Sequence, residues 1–109
     1  MSLKPTLAFP RNNEPEWAFC KLIQASGGTP VNRGWPDYAV FGKDERLKAF
    51  VEVKPIAGRK GLRDDQHFML SQLASFGVPC FIWSPAGLAR ILADGSTEPV
   101  EAGSLIELL

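Results

Sequence analysis

Leu47-Lys48-Ala49-Phe50-Val51-Glu52-Val53-Lys54, stopped by Pro55, is the stretch on which the fold turns. Its Val and Phe content is that of a β-strand, and a proline is a natural end to one. Residues two apart on a strand share a face, so Glu52 and Lys54 lie on one side and Val51 and Val53 on the other. Upstream, Asp37-Tyr38-Ala39-Val40-Phe41-Gly42 has the same strand-forming character. The short polar Lys43-Asp44-Glu45-Arg46 between the two runs reads as a turn, which makes the pair a hairpin. Residues 29–36 hold too many breakers for the interior of an element and read as a loop or an irregular edge strand.

Helical signatures bracket this hairpin. Asn13-Glu14-Pro15-Glu16 sets a capping residue ahead of a first-turn proline and a glutamate, a helix start; Phe19, Leu22 and Ile23 follow at helical spacing, and Gly27-Gly28 stops the helix. Beyond the hairpin, Asp64 and Asp65 supply the acidic first turn of a second helix that runs to about Phe76 and ends at Gly77. Met69, Leu70 and Leu73 form its apolar stripe, and Gln66 shares that inward face by spacing. His67 is one position off it and reads as solvated or facing a ligand, with no catalytic role.

Pro79 to Ser84 reads as a short buried strand. An Asp94-Gly95 turn joins residues 88–93 to 96–100 in a second hairpin, and the last segment has no assignable type. The order is therefore α-β-β-α-β plus a C-terminal hairpin, an α/β fold with a central mixed sheet flanked by helices. Residues 1–12, with Pro5 and Pro10 and no periodic pattern, read as a flexible arm before a single domain spanning 13–109.

Composition sets the outer limits. The chain has 109 residues, 45% hydrophobic and 22% charged, which suits one self-sufficient core. No apolar run is long enough to cross a bilayer and the first residues lack the apolar stretch of a secretory signal, so a soluble, cytoplasmic protein with no membrane partner is expected. Twelve basic residues balance twelve acidic ones, so any anion site must be local. Cys20, Cys80 and the single His67 are too few and too scattered for zinc; the cysteines read as small apolar residues kept reduced.

Alone, the Glu52/Lys54 face is consistent with an ordinary surface ion pair. Asp37 changes the weighting, because it opens the partner strand directly after Pro36, where its side chain can reach toward Glu52. Two carboxylates and a lysine that converge suit Mg²⁺ or Mn²⁺, with the lysine placed to orient an attacking water or to neutralise phosphoryl charge.

Gly34-Trp35-Pro36-Asp37, then Glu52-Val53-Lys54, then Gln66 in the following helix, together with Glu16 at the start of a first helix that ends in Gly-Gly, resemble the PD-(D/E)-x-K nucleases, specifically their VRR-NUC branch. The resemblance covers residues 14 to 84. It implies a restriction-endonuclease-like core and a metal-dependent DNA endonuclease that leaves a 5′-phosphate. It further implies that Asp37, Glu52 and the Val53 carbonyl bind the cation, that Lys54 serves the nucleophilic water, that Glu16 joins the metal shell directly or through water, and that Gln66 holds water or Lys54. Small stand-alone members of this branch look like phage or bacterial enzymes acting on branched DNA such as four-way junctions. The namesake Val-Arg-Arg string is absent, and Arg63-Asp64-Asp65 stands where a small hydroxyl residue often precedes the glutamine.

Competing readings stand beside several of these positions. Glu16 has an alternative as the reciprocal partner of Asn13 in a capping box, and Gln66 as a first-turn residue satisfying a backbone group. Lys54, Arg59, Lys60 and Arg63 are four positive charges with no acid before Asp64, placed to contact phosphates, with Arg33 on the opposite rim. Trp35 is open between stacking on a base and closing the core. The limited surface of so small a domain points to a homodimer on branched DNA, with Trp17, Phe41 and Trp83 as the apolar residues of interest. The rival expectation is a nucleic-acid-binding or interaction module without turnover.

Overall fold

The computed structural model of the protein describes residues 14–31 and 36–109. The readings placed on residues 1–12, Asn13, Arg33, Gly34 and Trp35 lie outside the described residues.

Among the described residues the chain forms α1 (Glu14–Ala25), β1 (Thr29–Val31), β2 (Tyr38–Phe41), β3 (Leu47–Val53), a 3-10 turn (Gly58–Gly61), α2 (Asp64–Ser75), β4 (Cys80–Ser84), β5 (Gly87–Ile91), β6 (Thr97–Val100) and a one-turn helix α3 (Gly103–Ile106). The strands make one mixed sheet in sequence order from β1 to β6. Only β3 and β4 run parallel, with Glu52 beside Ile82 and Val53 beside Trp83. That junction is where α2 crosses over, as a parallel connection requires. Both edge strands carry a proline, Pro30 in β1 and Pro99 in β6, which removes a donor from each edge ladder and discourages strand addition.

The sheet is covered on both faces, and strand alternation decides which residue faces which helix. Phe19, Cys20 and Ile23 of α1 pack with Tyr38, Val40, Val51, Val53, Phe81 and Leu88, and Leu105 of α3 joins them. Leu70 of α2 and Leu62 pack on Cys80, Ile82 and Ile91, with Phe50 and Leu73 against them. Glu52, between Val51 and Val53, must therefore point toward the α2 side. Gly27 and Gly77 end the two long helices in the left-handed conformation, φ +86° at each, where a Cβ is strained.

Two expectations are corrected here. Met69 is 46% exposed and does not belong to the inward stripe; Gln66, Leu70 and Leu73 lie within about 60° of one another around the helix, and Met69 sits about 100° from the buried Leu70. His67 is not a solvated imidazole, because its Nε2 lies 2.6 Å from the Gly95 carbonyl and ties α2 to the β5–β6 turn. Of the two readings of residues 29–36, the edge strand is the one found at Thr29–Val31, β1 pairing antiparallel with β2 through Pro30 and Val40. The two cysteines are free and buried, and desolvation pushes both thiols up, Cys80 to about 12.

Candidate metal centre

Asp37 sits in a bend just ahead of the first residue of β2, outside the ladder, and is held by reciprocal bonds to β3. Its backbone N–H donates to Glu52 Oε1 at 2.8 Å, and its Oδ2 accepts the Val53 N–H at 3.0 Å. On an extended strand a residue's N–H and carbonyl project from the same edge. Val53 therefore turns its carbonyl toward β2 and Asp37, while Lys54 N–H bonds the Trp83 carbonyl on the β4 side.

Glu52 is fully buried. Its second oxygen, Oε2, accepts a hydrogen bond from Gln66 Nε2 at 3.3 Å and lies 3.8 Å from Lys54 Nζ. Burial, reinforced by the Asp37 charge, pushes the Glu52 carboxyl up to about 7 despite the Asp37 N–H and Lys54. Buried acid beside a second acid is costly unless a cation or a proton joins it.

Gln66 meets the reading of a first-turn residue satisfying a backbone group, and it also reaches Glu52. Its Oε1 accepts the Arg63 N–H at 3.0 Å, capping the start of α2, while its Nε2 reaches Glu52. It holds the carboxylate and not Lys54, so the amide is fixed at both ends.

Two carboxylates and a neighbouring backbone carbonyl fit a hard divalent ion such as Mg²⁺ or Mn²⁺, which binds through one or two carboxylates. Among the described residues no three His, Cys, Asp or Glu side chains gather at one point. Glu16 is not brought to the pair; its Oε1 accepts the Tyr38 hydroxyl at 3.0 Å.

The basic loop is less positive than its sequence. Arg59 donates to the Leu62 carbonyl at 2.8 Å and pairs with Asp64 at 2.6 Å, and Arg63 pairs with Asp65 at 3.2 Å. Lys60 is exposed. The aspartates that open α2 thus neutralise part of the run that precedes it, a compensation that reading the run only as far as Arg63 leaves out.

Sequence reasoning also missed Gly61. A Cβ there would stand 2.6 Å from the Ile56 carbonyl oxygen and 3.0 Å from Lys54 Cβ. The 3-10 turn therefore packs directly on the Lys54 stem and fixes where the ammonium can go. Gly61→Ala is expected to cost about 1–3 kcal/mol through overpacking against backbone, which urea denaturation checks. A glycine between Lys60 and Leu62 was the available signal.

Compared with protein-family models, with curated proteins and with solved structures, the chain matches none.

Proposed function

We propose that this chain is a divalent-metal-dependent DNA endonuclease built on a restriction-endonuclease-like core and selective for branched DNA. The observation that carries the reading is the buried Glu52 carboxylate, held by Gln66 and the Asp37 N–H, with Asp37 and Lys54 beside it. A protein gains nothing in stability from burying an acid next to another acid, so the pairing is accounted for by a ligand that needs both. The cation supplies a polarised water and charge neutralisation at phosphorus. Asp37 and Glu52 hold it, and Lys54 orients the water or meets the phosphoryl charge. Lys60 supplies local phosphate contact on a chain of zero net charge, while Arg59 and Arg63 are paired with Asp64 and Asp65.

A homodimer presenting two sites accommodates a branched duplex on so small a domain. Of the apolar residues singled out from the sequence, Trp17 is 47% exposed and stacks under Lys21, whereas Trp83 packs against Phe19. Phe68, Met69 and Phe76 on the outer side of α2 add exposed apolar surface. No helix among the described residues is long and apolar enough to cross a membrane.

The test is cleavage of matched four-way-junction, flap and linear DNA with Mg²⁺, Mn²⁺ or chelator. Metal-dependent cutting with a preference for the junction is expected, falling about a hundred- to a thousandfold in Lys54→Ala. DNA binding without cutting under either metal would instead support a binding module.

A further inference from the structure

Glu16 and Glu52 approach the sheet from opposite faces. Tyr38 follows Asp37 directly and opens β2, while the Asp37 carboxylate accepts the Val53 N–H of β3. The Tyr38 ring lies among the α1-side core residues, 5.1 Å from Phe19, and is fully buried. Its hydroxyl donates to Glu16 Oε1 and lies against the Cys20 thiol, both on α1. Glu52 is on the α2 side, where it meets Gln66, and Asp37 is bonded to the β3 backbone beside it.

We infer that Glu16 is a positioning residue which fixes Asp37 through Tyr38 and does not itself ligate the metal. The inference rests on the proposed metal-dependent hydrolysis and gives that site a support that the family resemblance does not. Asp37 precedes the first paired residue of β2, where a strand end frays unless it is tied down. Tyr38 is that first residue, opposite Val51, and its phenol is pinned at the far end by Glu16. Loss of the pin frees the end of β2, and with it the Asp37 carboxylate and the N–H that holds Glu52. Two facts support a supporting role over ligation. Glu16 is engaged by a buried phenol across the strand, and among the described residues no third acid joins the pair.

The experiment compares wild type, Glu16→Gln, Glu16→Ala, Tyr38→Phe and the Glu16→Ala/Tyr38→Phe double variant, each shown to be folded by circular dichroism at the assay temperature. Mn²⁺ affinity and cleavage rate are read in parallel. A glutamine still offers Tyr38 an acceptor, so Glu16→Gln should bind Mn²⁺ within about twofold of wild type. Glu16→Ala and Tyr38→Phe should each weaken binding about tenfold, the usual scale for a lost outer support, and the double variant should be no worse than either. The inference is overturned if Glu16→Gln loses as much as Glu16→Ala while Tyr38→Phe binds normally, which is the signature of a direct ligand. It is equally overturned if Glu16→Ala and Tyr38→Phe lower only the melting temperature and leave Mn²⁺ affinity intact. Wild type that neither binds Mn²⁺ nor cuts DNA would instead remove the proposed function on which the inference stands.

Discussion

Glu52→Gln should abolish metal-dependent cleavage and yet gain stability over wild type as the pH is raised. Glu52 is fully buried and its carboxyl is pushed from 4.5 up to about 7 by burial and by Asp37. The folded protein therefore holds a proton between those values that the unfolded chain has released. Where the native state binds more protons, stability falls with rising pH. The penalty is absent below pH 4.5, grows from there to pH 7, and is complete above it at about 3 kcal/mol. Glutamine does not ionise, so the stability of the variant relative to wild type should shift by about that amount in its favour between pH 4.5 and pH 8. Its amide has one accepting oxygen where the carboxylate has two, so it can accept from Gln66 or from the Asp37 N–H but not from both, and this constant offset cancels in the comparison across pH. Asp44, Asp65 and Asp94 are held below the usual carboxylate range by Lys48, Arg63 and Ser96 respectively. They titrate alike in both proteins and drop out of the comparison. Urea unfolding across the pH range gives the stability difference, and cleavage should fall at least about a hundredfold with the loss of a ligand charge.

The second large effect is competition between proton and cation. A ligand that binds only the folded state stabilises it by about 2.7 kcal/mol at a hundred times its dissociation constant. That is close to the cost of ionising Glu52, so at pH 8 Mn²⁺ should offset most of the penalty and raise the melting temperature. At pH 5 the proton occupies Glu52 and must leave before the cation binds, so apparent affinity should fall by roughly tenfold per pH unit below 7. Glu52→Gln should show neither the stabilisation nor its pH dependence. Calorimetric melts with and without Mn²⁺ at the two pH values check this.

The elements around Glu52 were legible because each carries its own local signal. The strand alternation of Val51-Glu52-Val53-Lys54, the polar turn at 43–46 and the acidic start of α2 are read within a few residues, and the structure has β3, the hairpin and α2 at those places. The convergence of Asp37, Glu52, Lys54 and Gln66 was legible for the same reason, since strand pairing and helix phase bring them together. Relations between distant elements were not legible. Nothing in the spacing of Glu16 and Tyr38 announces that a phenol will meet a carboxylate across the core, nor that His67 will bond the Gly95 carbonyl. Met69 misled because helical spacing from Gln66 and Leu73 also admits a position about 100° from the buried Leu70. The pairing of Arg59 with Asp64 escaped because the 3-10 turn that folds the loop back has only a weak sequence signature.

The most direct measurement is Mn²⁺ binding at pH 8, followed by the electron paramagnetic resonance signal of the free ion, for wild type and Asp37→Asn. The account predicts saturable loss of free-ion signal with the wild type and at least about tenfold weaker binding with Asp37→Asn. A wild-type protein that leaves the free Mn²⁺ signal unchanged, or a variant that binds as tightly as wild type, would contradict a metal centre at the Asp37–Glu52 pair.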